Sequence, residues 1–151
     1  MTTPETAAQW KMEVLLVEDN PADVRLLREA LREVPYKVNL NLAGDGMEAL
    51  SFLRRVKPYE NVPRPSLVLL DLNMPVKNGR EVLREIKTDP DLRSIPVVVL
   101  TTSEAPGDID YCYGAYANAY VVKPRDLESF MAAVRGIWEF WFGVARIPAR
   151  P

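Results

Sequence analysis

The sequence predicts an α/β fold, a doubly wound sandwich whose five parallel strands lie in the order 2-1-3-4-5 between two layers of helices. Three observations lead to this prediction. Short apolar segments typical of buried strands alternate five times with segments of helical periodicity. One strand segment alternates in polarity, as an edge strand does. The 151 residues, 48% hydrophobic and 26% charged, suffice for a single domain with its own apolar core.

The strand segments differ in how their apolar residues are arranged. Segments 14–17, 67–70 and 97–100 read VLLV, LVLL and VVVL, which predicts central strands buried on both faces. Segment 38–42, VNLNL, alternates and therefore predicts an edge strand. Segment 120–122, YVV, is a short fifth strand that should form the opposite edge. Right-handed crossovers through helices connect parallel strands arranged in this way.

Helices are predicted between and after these strands. The first helix is expected to begin at Pro21, since asparagine is a common cap residue and proline suits the first helical position. The cap is therefore Asn20. The other helices are expected at 46–56, from Asn78-Gly79, at 106–116 and from Asp126 to Phe142. Apolar periodicity places three residues of the fourth helix in the core: Ile109, Cys112 and Tyr116. In the last helix it places five there: Leu127, Phe130, Val134, Ile137 and Trp141.

The domain is expected to span residues 12–143, between a polar arm at 1–11 and a tail at 144–151. The arm lacks the features of a signal peptide, and no apolar run approaches the roughly 18 residues of a membrane span. Residues 56–66 contain three prolines and predict a long surface loop. The single cysteine excludes an internal disulfide, and we expect a reduced, cytoplasmic setting without membrane attachment.

Composition excludes several classes of function. The formal charge of −2 provides no basic surface for nucleic acid. The sequence contains no histidine, so it has no Ser-His-Asp triad and no histidine-ligated metal, and it cannot carry a phosphohistidine itself.

Polar residues follow four of the predicted strands. Strand one is followed by Glu18 and Asp19, strand three by Asp71, strand four by Thr101 and strand five by Lys123. These side chains should meet, because parallel strands end at the same edge of a sheet. Three carboxylates this close repel one another unless a cation lies among them, and hard oxygen ligands favour Mg²⁺. With a lysine and a hydroxyl nearby, the pattern predicts phosphoryl transfer to an aspartate nucleophile.

The segments that carry these residues read VEDN at 17–20, LLDLNMP at 69–75, VVLTT at 98–102 and YVVKP at 120–124. Together they resemble the receiver domain of bacterial two-component response regulators, over about residues 12–142. The resemblance implies a flavodoxin-like (βα)5 fold and a phosphoryl group received from a sensor histidine kinase. It also implies a protein that catalyses its own phosphotransfer and dephosphorylation but is not a conventional turnover enzyme.

The resemblance assigns the acidic residues their roles. Asp71 is the phosphoacceptor, and Glu18 and Asp19 are the metal-binding acids. Asp71 and the backbone carbonyl of Asn73 complete the implied Mg²⁺ site.

The remaining roles concern the response to phosphorylation. The resemblance implies that Thr101 is the switch hydroxyl, that Lys123 pairs with the phosphoryl group and that Tyr120 turns inward on activation. It also implies a cis bond between Lys123 and Pro124.

The proline-rich loop and the aromatic end GIWEFWF are similar to a stand-alone subgroup paired with bacterial and cyanobacterial phytochrome kinases. A phytochrome-type sensor kinase is therefore the implied partner. Only 28 residues follow Lys123, too few for a DNA-binding domain, so output through protein contacts is expected.

Two aromatic residues, Tyr111 and Phe140, are predicted on the outward sides of helices four and five, with Trp138 and Phe142 close by. An exposed apolar patch of this kind usually marks a partner surface. In the resembling subgroup, helix four, strand five and helix five form homodimers, so we expect a two-fold dimer through this face.

Two alternatives remain open at this stage. A degenerate receiver would serve only as a binding scaffold, although all the phosphorylation residues are present. A haloacid-dehalogenase-like aspartyl phosphatase would also place an aspartate after a strand. That class needs a second aspartate two residues later, where this chain has Asn73.

Overall fold

The computed structural model describes residues 12–148 and has the predicted architecture. Five parallel strands form one sheet in the order β2-β1-β3-β4-β5. The expected arm at 1–11 and the last three residues of the expected tail lie outside the described residues. The strands are β1 (Met12–Val17), β2 (Val38–Ala43), β3 (Leu67–Leu70), β4 (Val97–Thr101) and β5 (Ala119–Val122).

Within residues 12–148, five α-helices and one π-helix accompany the sheet. Side chains of Asn20, Asp45, Asn78 and Asp126 cap four of the α-helices by accepting hydrogen bonds from backbone N–H groups. The helices are α1 (Pro21–Leu31), α2 (Gly46–Leu53), α3 (Gly79–Thr88), α4 (Pro106–Gly114), α5 (Leu127–Glu139) and a π-helix (Phe140–Val144).

Helices α2 and α4 end before the predicted positions 56 and 116. Arg55 and Tyr116, which follow them, have positive φ angles of 54° and 71°. A left-handed residue at this position closes a helix. Tyr116 is therefore 76% exposed and does not lie on the buried face of α4, so its prediction as a core residue is wrong.

The core consists of two apolar layers, one on each side of the sheet. Alternate residues of β1 point into opposite layers: Leu15 and Val17 pack with α2, α3 and α4, whereas Val14 and Leu16 pack with α1 and α5. Burial on both faces explains the continuous apolar run of this central strand. Residues 56–66 form a loop without helix or strand, as predicted.

The buried face of α5 differs from the prediction. Leu127, expected inside, is 60% exposed, whereas Trp138 is fully buried and Trp141 only partly. Leu127 is the first residue of the helix, directly after its cap. At the other end the helix continues as a π-helix, whose wider turn changes the direction in which residues 140–144 project.

None of the helices within residues 12–148 combines the length and the apolar character that a membrane span requires.

Candidate functional site

Buried polar side chains are concentrated at one edge of the sheet. Among residues 12–148, the buried polar or charged residues are Glu18, Asp71, Thr101 and Lys123. They lie at or directly after the ends of β1, β3, β4 and β5, as the sequence predicts. Burying such groups costs free energy unless they are paired. Their concentration at the carboxyl edge therefore marks the candidate site.

The three acids predicted to bind a metal do come together. Carboxylate oxygens of Glu18, Asp19 and Asp71 lie within 4.8 Å of one another. Burial raises the pKa of Glu18 to about 7, although the hydrogen bond from Lys123 lowers it in part. Asp71 Oδ1 accepts a hydrogen bond of 3.2 Å from the backbone N–H of Asn73. Clustered carboxylate oxygens are the donors that a hard divalent cation prefers, so this set fits one.

Lys123 is the cation of the site. Its Nζ donates hydrogen bonds to Glu18 Oε1 at 2.7 Å, Asp23 Oδ2 at 2.7 Å and Asp71 Oδ2 at 3.4 Å. Burial lowers the pKa of Lys123, but the hydrogen bonds to Asp23 and Glu18 outweigh this effect, so the net pKa is raised. Lys123 therefore remains charged.

Asp23 is a site residue that the sequence analysis missed. It lies in the first turn of α1, where its backbone N–H is bound by the cap residue Asn20. A signal was available, because Asp23 follows Asp19 by four residues and α1 begins at the same edge of the sheet.

Asp71 is fixed by the close approach of α3. The N–H of Gly79, the first residue of α3, donates a 2.9 Å hydrogen bond to the carbonyl of Leu72. A Cβ atom at Gly79 would overlap the carbonyl of Asp71. Glycine is therefore needed at this position for the helix to pack against the end of β3.

A second group of polar residues joins β5 to the β4–α4 loop. The hydroxyl of Tyr120 donates a 2.9 Å hydrogen bond to the carbonyl of Ser103. The Ser103 hydroxyl donates to Asp108 at 2.6 Å, and Asp108 pairs with Arg80 at 2.8 Å. These hydrogen bonds from Ser103 and Arg80 lower the pKa of Asp108. Thr101 Oγ1 accepts a longer bond of 3.5 Å from the Ser103 N–H.

Ser103, Asp108 and Arg80 were also missed. They belong to a loop and two different helices, and no spacing in the sequence brings them together. Tyr120, by contrast, was singled out, and in this structure its ring packs partly buried against the core.

One expected backbone feature is wrong. Among the described residues the cis bond joins Lys57 and Pro58, and the bond between Lys123 and Pro124 is trans. Trans is the intrinsically favoured form of such a bond, by about 0.5–1 kcal/mol. Here the Lys123 N–H also donates a 2.7 Å hydrogen bond to the Thr101 carbonyl, which extends the pairing of β4 with β5.

The expected dimer patch is smaller than predicted. Tyr111 and Phe140 are 40% and 48% exposed, in agreement with their outward placement. Trp138 is fully buried, and the partly buried Phe142 stacks on it with ring centroids 5.5 Å apart. Trp138 therefore cannot contribute to the surface, because its ring belongs to the core.

Comparisons with known proteins agree with the resemblance. A family model described as response regulator receiver domain matches residues 14–135. Response regulator Rcp1 of Synechocystis sp. is 48% identical over 136 residues, covering 90% of this chain and 92% of Rcp1. The probable methanogenesis regulatory protein FilR2 of Methanothrix harundinacea is 40% identical, covering 89% of this chain and 86% of FilR2.

Solved structures extend this similarity to the fold. The Mn²⁺-bound form of Rcp1 superimposes with a TM-score of 0.89 at 47% identity, covering 91% of this chain and 99% of that one. The phosphorylated cyanobacterial phytochrome response regulator RcpA gives a TM-score of 0.90 at 46% identity, with 93% and 100% covered. The residues matched by the family model, 14–135, include most of β1, all of β2 to β5 and the residues of the acidic edge. This chain belongs to the response regulator receiver domain family.

Proposed function

We propose that this chain is a single-domain response regulator that accepts a phosphoryl group on Asp71 from the phosphohistidine of a sensor kinase. The observation that carries the proposal is the position of Asp71, beside two further carboxylates and the Lys123 ammonium. In the reaction, an Asp71 carboxylate oxygen attacks phosphorus and forms an O–P bond. The N–P bond of the donor breaks, and its electron pair stays on the imidazole nitrogen.

The surrounding residues have separate roles in this proposal. Glu18, Asp19 and Asp71, with the backbone carbonyl of Asn73, would hold Mg²⁺, which when bound neutralises negative charge on the phosphoryl group. Lys123 pairs with a phosphoryl oxygen from the side of β5. The buried Thr101 hydroxyl donates a hydrogen bond to another, and Tyr120 couples this event to the β4–α4 loop. The same groups support slow self-catalysed dephosphorylation.

The proposed donor is a phytochrome-type sensor kinase, which the similarity to RcpA supports. The proposed output is protein contact rather than binding to DNA, because the formal charge of −2 offers no basic surface. We further propose a homodimer through α4, β5 and α5, with Tyr111 and Phe140 at the contact. Tight sequence-specific DNA binding at physiological salt would contradict this output.

The central test uses acetyl phosphate as a small phosphodonor. Wild type incubated with acetyl phosphate and Mg²⁺ should gain one phosphoryl group, which mass spectrometry of peptides would locate on Asp71. Asp71→Asn should remain unlabelled, and EDTA should prevent labelling of wild type. Labelling that persists in Asp71→Asn, or that ignores EDTA, would contradict the proposal.

A further inference from the structure

Asp23 is a fourth carboxylate at the site, separate from the three acids that cluster around Asp71. Its side chain is 18% exposed and lies on α1, and its Oδ2 accepts a 2.7 Å hydrogen bond from Lys123 Nζ. The acids suited to a cation are Glu18, Asp19 and Asp71, so Asp23 serves no metal-binding role in this set. Its contact is with the lysine.

The three contacts of Lys123 are unequal. Nζ lies 2.7 Å from both Glu18 and Asp23, on the side of β1 and α1, but 3.4 Å from Asp71. Three carboxylates thus share the three N–H donors of the ammonium. The phosphoacceptor holds the longest of these contacts. In this structure the ammonium is therefore drawn towards α1 and away from Asp71.

We propose that Asp23 is a positioning residue that holds Lys123 against α1 and thereby weakens the hold of this lysine on a phosphoryl group at Asp71. The inference rests on the proposed function and adds a restraint to it. A phosphoryl group carries about −1.5 to −2 charges at neutral pH and needs the ammonium as a partner. Asp23 competes for the same ammonium with a full negative charge.

A cleft next to the site supplies a control residue for the test. A cleft of about 690 Å³ opens beside the site, and its lining includes Asp23, Glu104 and Lys123. Glu104 is an exposed acid on the β4–α4 loop of the same cleft, and Lys123 donates to Glu18, Asp23 and Asp71 rather than to it. Glu104 thus supplies a matched control for charge alone.

The test measures the affinity of the Mg²⁺-loaded protein for beryllofluoride, a phosphoryl mimic, by isothermal titration calorimetry. Asp23→Asn keeps the shape of the side chain and removes its charge, so it should bind beryllofluoride about three- to tenfold more tightly than wild type. Asp23→Glu should stay close to wild type, because it keeps the charge. Glu104→Gln should change the affinity less than about twofold, because it leaves the contacts of Lys123 intact.

The outcomes separate this inference from the function on which it rests. If wild type fails to bind beryllofluoride, or if Asp71→Asn binds it equally well, the proposed function is wrong. If wild type binds but Asp23→Asn binds equally or more weakly, the role of Asp23 is wrong. The role of Asp23 would also be wrong if Glu104→Gln raised the affinity for beryllofluoride as much as Asp23→Asn does. Thermal unfolding of each variant controls for structure, because a purely structural role would lower stability without tightening binding.

Discussion

The carboxyl edge of the sheet and the aromatic end of α5 each contain buried side chains, but of different kinds. At the edge, Glu18, Asp71 and Lys123 are each at most 7% exposed and satisfy one another through charge-assisted hydrogen bonds. At the aromatic end, the rings of Trp138 and Phe142 lie nearly parallel, with an interplanar angle of 9°. Stability depends on the balance of charge in the first region and on the volume of packed side chains in the second.

Removing volume from the aromatic end should give the largest loss of stability. Trp138→Ala is expected to lower the free energy of unfolding by about 3–5 kcal/mol, because it leaves a large cavity beside Phe142. Leu127→Ala, on the exposed side of the same helix, should change it by less than about 0.5 kcal/mol. Urea unfolding monitored by circular dichroism measures both.

A third variant separates volume from hydrogen bonding in the same region. Trp138 Nε1 is buried and has no hydrogen-bond partner among the described residues. Trp138→Phe should therefore lower the free energy of unfolding clearly less than Trp138→Ala does, since it keeps a ring and removes an unsatisfied donor. Equal losses for the two variants would mean that ring packing contributes little there.

At the carboxyl edge, removing the positive charge should lower the free energy of unfolding, whereas removing a negative charge should not. Lys123→Met is expected to lower the free energy of unfolding by about 3 kcal/mol in EDTA, because it leaves Glu18 and Asp71 buried without their cation. Asp71→Asn should leave stability unchanged or raise it, because it removes one of the mutually repelling acids. Denaturant unfolding of both variants, with and without Mg²⁺, measures this. A loss in Asp71→Asn equal to that in Lys123→Met would contradict the charge argument.

The same contrast explains which features the sequence could predict. Glu18, Asp71, Thr101 and Lys123 were found because each ends a strand, and a parallel sheet brings all strand ends to one edge. Asp23 was not found, because it ends no strand and its partner lies 100 residues away in sequence. The four-residue spacing from Asp19 places Asp23 on α1 near this edge, but its contact with Lys123 depends on where α1 begins relative to β5, which no local pattern contains.

The aromatic end was harder to predict for a different reason. Residues 137–142, IWEFWF, are apolar on almost every side of a helix, so periodicity does not select one buried face. The change from α-helix to π-helix at Phe140 then alters the angle between successive side chains. The isomer of the bond before Pro124 was also hard to predict, because cis and trans forms of such a bond differ in free energy by only about 0.5–1 kcal/mol.

Cys112 gives a smaller effect that depends on pH. It is a titratable group in the apolar layer, and burial raises its pKa from the ordinary 9.0 to about 11. Well below pH 9 the thiol is protonated in both folded and unfolded states. Between pH 9 and 11 the unfolded state loses its proton first, so stability falls as pH rises.

Stability differences between wild type and Cys112→Ala isolate this contribution. Between pH 8 and pH 10 the free energy of unfolding of wild type should fall by about 1 kcal/mol more than that of Cys112→Ala, because the variant lacks the thiol. Denaturant unfolding at both pH values measures it. Identical losses would mean that the thiol ionises in the folded state as readily as in the unfolded one.

The smallest effect on stability is expected at Phe140, where a substitution should act mainly on formation of the proposed dimer. This ring is 48% exposed at the start of the π-helix, so Phe140→Glu should change the free energy of unfolding by less than about 0.5 kcal/mol. If α4, β5 and α5 form the proposed isologous contact, the substitution places two like charges near the two-fold axis and should convert the dimer to a monomer. Sedimentation equilibrium with and without beryllofluoride measures this.

Met47→Glu is the matched control, because Met47 is 50% exposed on α2, outside the proposed contact. A wild type that stays monomeric in both states would contradict the dimer. A dimer that survives Phe140→Glu but not Met47→Glu would place the contact on the opposite edge of the sheet.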